Sequence, residues 1–488
     1  MATKLLKTLN DALLTATFVS FLSVPRAFPA NPVPTVIAPV IPQAVPPGSG
    51  AFTLRVYGAN FVPGAVGNWN ASPRSTTFVS RREVDAKILA SDVAQPTMGH
   101  ITVSNPGPGG GNSSSSYAVV EVHTPDPTVI PAKPHNYQLK TDFIFSLLTG
   151  DFYSHNKLDL LAGGLSGNVY LLEGNGDGTF RHTSVVGDQY SGSTCNLGVG
   201  DFNNDGKLDF VFPAGSQTAS ITVRLNNGNG SFRTSWRHGA YDSCPPFAVG
   251  DFDGDGNLDF VAVLGNAMDI FLGNGDGTFR KGRSYVGPYH SALVADFNGD
   301  GILDLVVNTD GGLRLLLGKG DGTFRKPRTI IKLPANKEFD CGEGQSLVVN
   351  DFNGDGNADL ATCYVSALPP FRSPGIIVLL GNGDGTFKKP VHYHAGYPVD
   401  SGGTWAFAAG DFNSDGKTDF IDWYSTGNGK WAFAILKGNG DGTFQKQTTV
   451  KLPDNMEDFG IVPGDFTSDG LLDFIIQPLG GLQSYTQK

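Results

Sequence analysis

The sequence predicts an all-β protein built by radial repetition of small antiparallel sheets. Two observations predict it: a nine-residue acidic motif returns seven times, and short apolar runs separated by glycine-rich turns fill the chain around it. The motif reads DFYSHNKLD from Asp151, DFNNDGKLD from Asp201, DFDGDGNLD from Asp251, DFNGDGILD from Asp296, DFNGDGNAD from Asp351, DFNSDGKTD from Asp411 and DFTSDGLLD from Asp465. The starts lie 45 to 60 residues apart, a period that marks solenoids, propellers or arrays. Glycine, 65 of 488 residues, sits in these turns, which argues for tight hairpins and against a low-complexity chain.

At the N-terminus, Lys4 and Lys7 precede an uncharged stretch from Ala12 to Val24. That stretch is short for a bilayer span but suits the core of a signal peptide over residues 1–30. Residues 25–47 are proline-rich and read as an extended lead-in. From 34 to 123, alternating strand-like runs such as AFTLRVYGANF, STTFVS, GHITVSN and YAVVEV stand between turn signals, the pattern of a small β-sandwich. Residues 124–134 read as a linker to the repeats at 135–488.

One repeat, from about Pro245 to Gly287, shows the expected unit. PFAVGDF is a strand, the acidic loop turns the chain, LDFVAVL and AMDIFLGN are the next two strands, and TFRKGRSYV is the fourth. Strands of four to eight residues between glycine turns make a four-stranded antiparallel meander. The second turn also recurs, as GNGDGTF from Gly174, Gly273, Gly381 and Gly438, GKGDGTF from Gly318 and GNGSF from Gly228. Closely spaced glycines with Asn or Asp are what positive-φ hairpin turns require, so these aspartates are not counted as ligands. Such a sheet leaves its faces uncovered, and stacking seven of them about an axis gives a seven-bladed β-propeller. The last copy ends without its fourth strand, whereas HNYQLK at 135–140 precedes the first copy as an orphan extended segment. The two are expected to pair and close the ring, which removes free edges.

Comparing the seven motifs exposes their chemistry. Position 1 and position 9 are Asp in all seven, while six carry Asp at position 5 followed by Gly at position 6, with Asn, Asp or Thr at position 3. Side-chain oxygens at positions 1, 3, 5 and 9 with a backbone carbonyl at position 7 form a set of hard oxygen donors that suits calcium better than magnesium. The candidate metal residues are therefore Asp201, Asn203, Asp205, Lys207 and Asp209; Asp251, Asp253, Asp255, Asn257 and Asp259; Asp296, Asn298, Asp300, Ile302 and Asp304; Asp351, Asn353, Asp355, Asn357 and Asp359; Asp411, Asn413, Asp415, Lys417 and Asp419; and Asp465, Thr467, Asp469, Leu471 and Asp473. Without a cation, so many adjacent carboxylates resist joint ionisation. Side-chain-capped turns alone account for one or two aspartates in a loop, but not three or four. Six structural calcium ions would also offset the formal net charge of -11, a balance that otherwise disfavours nucleic acid and anionic membranes. In the first copy His155 and Asn156 replace Asp and Gly, so Asp151 and Asp159 are expected to remain as a metal-free turn.

These residues, DFNGDG, LDLVV and LLGKGDGTF among them, resemble the FG-GAP/VCBS repeat family of integrin α-chain propellers and many bacterial secreted proteins. The resemblance covers roughly residues 124–488 and implies seven blades with calcium in the hairpin between the first two strands of each. Residues 34–123 are similar to an IPT/TIG immunoglobulin-like domain.

The function class that follows is a secreted or cell-surface monomer binding an extracellular protein or glycan, with adhesion as one form of it. Trp405, Trp423, Tyr424 and Trp431 are a candidate sugar-stacking patch, or else filling between blades. G-x-S-x-G, H-E-x-x-H and P-loop motifs are absent from the sequence, and His392 with His394 makes an incomplete transition-metal site, so no enzyme is predicted. A polysaccharide lyase or hydrolase, whose paired carboxylates would hide among the loop aspartates, is the alternative, and a spacer without a ligand is the third reading. Cys195 with Cys244 and Cys341 with Cys363 are candidate disulfides in an exported chain. Asn70, Asn112 and Asn229 stand in N-x-Ser/Thr contexts.

Overall fold

The computed structural model describes residues 31–487 except 32, 43, 114–117, 125–133, 139–143, 156, 165, 188–195, 215–219, 240–244, 334–346, 365–374, 394–403, 428–429, 452–457 and 479–480. Among the described residues there is no helix, and the regular structure is all β. The expected signal peptide, residues 1–30, lies outside them.

The N-terminal body consists of two sheets around one core. One sheet orders Thr35–Ile41, Phe52–Ala59, Glu83–Ile88 and Thr76–Ser80; the other runs from Ala44–Val45 through Val119–Val122, Thr97–Asn105 and Val66–Trp69 to Ser72–Pro73. Alternation along Glu83–Ile88 buries Val84, Ala86 and Ile88, the period-2 signature of a strand with one face inward. Those residues meet Leu54, Phe61, Trp69, Ile101 and Val120 in a single apolar cluster.

The rest of the described chain forms seven four-stranded antiparallel sheets. In the repeat read above, the strands are Phe247–Gly250, Asp259–Leu264, Ala267–Gly273 and Phe279–Val286, neighbours in space in that order. The inner strands, such as Asp259–Leu264, are buried along nearly their whole length, whereas Phe279–Val286 is largely exposed. That difference explains why inner strands read as continuous apolar runs and outer ones as mixed.

Each sheet packs on the next through its own apolar cluster. Phe202 and Val223 meet Phe260 and Phe271; Phe252 and Ile270 meet Leu305 and Phe324. The cycle returns to its start, because Ile475 and Leu482 of the last sheet share a cluster with Leu160 and Tyr170 of the first. The orphan segment takes part in this last sheet. His135–Gln138 pairs antiparallel with Gly481–Tyr485, placing Tyr137 opposite Leu482, and the Tyr137 hydroxyl accepts a hydrogen bond from Phe180 N–H at 3.1 Å.

Phenylalanine of the DF motif and phenylalanine of the second turn meet across this packing. Phe202 lies edge-on to Phe279 at 5.4 Å, Phe252 to Phe324 at 5.5 Å, and Phe180 to Phe466 at 5.9 Å. Beside each pair the second turn donates a backbone hydrogen bond to the preceding sheet: Gly277 N–H to Phe202 O, Gly322 to Phe252, Gly385 to Phe297, Gly442 to Phe352 and, between first and last sheets, Gly178 to Phe466. The second turn is therefore more than a hairpin connection. It fastens one sheet to its neighbour, a role its sequence does not declare.

Candidate metal centres

The acidic loops all emerge at one end of the sheets, where the first strand turns into the second. Gly256, at φ +91°, makes the sharp bend in the third loop, a conformation glycine adopts without steric cost. Hydrogen bonds then wind the backbone around the aspartates. Asp251 Oδ1 accepts from Gly254 N–H at 2.7 Å and Oδ2 from Gly256 N–H at 3.1 Å, while Asp253 and Asp255 accept from the N–H groups of Asp255 and Asn257. The loops at Asp201, Asp351, Asp411 and Asp465 repeat the position-1 bond to the position-6 N–H.

The position-9 aspartate is a clamp as well as a candidate ligand. Asp259 is wholly buried; its Oδ2 accepts from Phe252 N–H at 2.8 Å and its Oδ1 from Gly273 N–H, on the third strand, at 2.8 Å. Asp304, Asp359 and Asp473 do the same with Phe297 and Gly318, Phe352 and Gly381, and Phe466 and Gln487. Glycine ends the third strand because a Cβ at Gly273 would run into the Leu258 carbonyl.

Burial together with neighbouring carboxylates makes these sites electrostatically costly. Burial first, and then the charges of Asp253 and Asp251, push Asp259 up to about 8; Asp251 rises to about 7 and Asp253 also rises. Asp209 and Asp304 reach about 7, Asp359 and Asp473 about 8, and Asp419 stands well above the usual carboxylate range, in each case mainly through burial. Oxygens of Asp251, Asp253 and Asp259 lie within 4.8 Å of one another, and Asp419 Oδ2 is buried without a hydrogen-bond partner. A hard divalent cation fits this donor set. Asp255 stands at the exposed rim, and Lys207 turns its Nζ onto Asp205 at 3.0 Å.

The first loop carries His155 where the other loops have the fifth-position aspartate. His155, Asp151 and Asp159 cluster closely enough to share an ion, with Glu173 beside them.

Sequence reading also missed the N-terminal body's approach to this end. Arg82 Nε lies 3.5 Å from Asp296 Oδ2, and its Nη2 points to Gly356 O at 3.5 Å. Tyr57 covers Gly356, the Thr97 backbone covers Gly470, and Met98 is buried with Phe412 and Phe474. These contacts join residues far apart in the chain, so no local signal announces them.

The remaining sequence candidates gain little definition. Trp405, Trp423, Tyr424 and Trp431 fall on strands Thr404–Gly410, Asp419–Gly427 and Lys430–Leu436, with Trp423 opposite Ala406 and Phe433; their side chains lie outside the described residues. So do Cys195, Cys244 and Cys341, the side chain of Cys363, and His394. His392 is half-buried on Val391–Tyr393. No described helix is long and apolar enough to cross a membrane.

The FG-GAP-like repeat pattern matches residues 151–212, 214–262, 251–307, 296–362, 364–421 and 420–476. The fold is β-propeller-like. Among solved structures, an Agrocybe aegerita lectin specific for non-reducing terminal N-acetylglucosamine is similar at 18% identity, covering 79% of this chain and 96% of the lectin with a TM-score of 0.45. An auxiliary nutrient binding protein from Bacteroides ovatus is similar at 12% identity, covering 94% of this chain and 100% of that one with a TM-score of 0.39. Both scores lie below 0.5, so neither ligand transfers to this chain. No curated protein matches the sequence significantly.

Proposed function

The chain belongs to the FG-GAP-like repeat family, and from that premise we propose that it is a seven-bladed β-propeller, held by structural calcium, that serves as a secreted or cell-surface binding module for a protein or glycan. The N-terminal pair of sheets is assigned to the immunoglobulin-like IPT/TIG type.

The observation that carries the calcium assignment is the convergence of buried Asp251 and Asp259 with half-buried Asp253, whose oxygens lie within 4.8 Å of one another. Asp251, Asp253 and Asp259, with Asp255 at the rim, would hold the ion in the third blade; residues at positions 1, 3, 5 and 9 would do so in the second and fourth to seventh. The ion supplies positive charge where burial penalises carboxylates, and it ties the loop to the sheet. Contacts from Arg82, Tyr57 and Thr97 cover part of the loop-bearing end. The ligand surface is accordingly assigned to the opposite end, where turns 264–267 and 309–312 and the connection 286–289 emerge and Val286 is 85% exposed.

Calcium titration of chelated protein by calorimetry, followed by a glycan and matrix-protein array with and without calcium, tests both parts. Expected are several equivalents of calcium bound with a rise in melting temperature, and a ligand retained only by calcium-loaded protein. Calcium uptake that leaves melting unchanged would remove the structural role; an empty array would remove the binding role; release of reducing ends from a polysaccharide would reassign the protein as an enzyme.

A further inference from the structure

We infer that the first repeat's loop, from Asp151 to Asp159, is a site for a borderline divalent transition ion of the zinc class, with His155 Nε2, Asp159 Oδ1 and Glu173 Oε1 as its protein ligands and Asp151 as the residue that positions the imidazole.

In six loops the fifth position carries an aspartate. In the first loop His155 takes that place and its ring turns inward. Its Nδ1 lies 3.1 Å from Asp151 Oδ1, and that oxygen also accepts from the His155 backbone N–H at 2.8 Å. A carboxylate beside Nδ1 holds the proton there, which leaves the lone pair on Nε2. Nε2 is shielded from solvent and makes no hydrogen bond. It faces two carboxylate oxygens, Asp159 Oδ1 at 3.4 Å and Glu173 Oε1 at 3.9 Å. Both acids are held in place: Asp159 is completely buried and accepts from Phe152, Tyr153 and Gly174 N–H groups, and the Glu173 side chain, 12% exposed, accepts from the Arg181 guanidinium through the same Oε1.

Donor atoms about 3 to 3.5 Å apart are the edges of a coordination shell with bonds of roughly 2.0–2.2 Å; His155 Nε2 and Asp159 Oδ1 already form such an edge, and Glu173 Oε1 joins it by moving off the Arg181 guanidinium toward the ion, with water in the remaining positions. The chemistry selects the ion. Replacing a carboxylate by imidazole lowers the affinity for calcium, which takes six to eight oxygens, and raises it for zinc, cobalt or nickel. A carboxylate behind a ligating histidine is the usual outer-shell arrangement at such ions. Glu173 belongs to the third strand, Val169–Gly174, so the ion would tie loop to strand in the sheet that packs against the last one.

The inference is independent of calcium in the other loops, because its test is run in saturating calcium. The full chain is stripped of metal and titrated with Zn²⁺ by calorimetry, and with Co²⁺ while its visible absorption is followed. The expected result is one equivalent bound, cobalt bands of a nitrogen–oxygen site, and an affinity that falls at least tenfold in both His155→Gln and Glu173→Gln and about 10- to 100-fold in Asp151→Asn. Calcium stoichiometry should be the same in wild type and variants, and a melting curve confirms that each variant folds. Absence of stoichiometric binding would overturn the inference and leave His155 as a side chain that only fills the loop. Uptake unchanged in both His155→Gln and Glu173→Gln would overturn it too, placing the ion on another of the nine histidines.

Discussion

At the scale of single residues, aspartates that look equivalent in the sequence do different work. Asp259 satisfies two buried backbone N–H groups, on Phe252 and Gly273, whereas Asp255 stands exposed and accepts only from its own loop. In chelator, Asp259→Ala is expected to lower unfolding free energy by about 2–4 kcal/mol, because two buried donors lose their acceptor. Asp255→Ala should change it by no more than about 0.5 kcal/mol; denaturant titrations of the two variants compare them directly. The same burial sets the response to pH. Asp259 and Asp473 sit at about 8 and Asp209, Asp251 and Asp304 at about 7, above the ordinary 3.8. A carboxyl raised in the folded state contributes stability that is complete below its unfolded pKa and is lost as pH rises through the folded one. The melting temperature of chelated protein should therefore fall between pH 5 and pH 8.5, and excess calcium should flatten that slope. A chelated melt that rises with pH would contradict the burial of these groups. The oxygen-rich residue types were legible in the sequence; their division into clamp and rim was not, since it depends on which N–H groups the third strand brings alongside.

Among elements, strand positions were the most legible feature, because apolar runs bounded by Gly, Asn and Asp leave little choice of where a hairpin turns. The aromatic residues flanking those turns were less so. Phe252, 2% exposed, lies against Phe324 of the next sheet, and the Gly322 N–H bonds to the Phe252 carbonyl beside it. Phe252→Ala is expected to cost about 3–5 kcal/mol through a cavity that two opposing sheets cannot collapse to fill. The comparison is Phe279→Leu, which keeps most of the volume on the facing pair and should cost about 1 kcal/mol. Equal losses in urea denaturation would mean that the contact between sheets is not volume-sensitive. The first loop belongs at this scale as well: His155 read alone is an eroded aspartate, but the fold sets it with Asp151 and Asp159 in a mixed nitrogen–oxygen cluster and brings Glu173, fourteen residues beyond Asp159 on a different strand, beside it.

For the whole molecule, two long-range contacts govern assembly. The strand His135–Gln138 covers the edge of Gly481–Tyr485; replacing residues 135–138 with Gly-Ser-Gly-Ser should lower the melting temperature by several degrees and expose an edge that promotes concentration-dependent aggregation. Light scattering alongside the melt checks both effects, and an unchanged melt would remove the closing role of the segment. Arg82 reaches Asp296 from the N-terminal body, so its guanidinium supplies positive charge to the fourth loop. Arg82→Ala should leave that loop more dependent on metal, and calorimetry should show one calcium site tightening while the others hold. From its own order of residues the chain determined where strands begin and end and which loops gather oxygen donors, because turns and alternation are governed by neighbours a few positions apart. Pairing of the two distant ends, fastening of each second turn to the sheet before it, the reach of Arg82 to Asp296 and the meeting of His155 with Glu173 were decided only by tertiary packing. Those contacts depend on where separate strands come to rest in space, and sequence separation carries no measure of that distance.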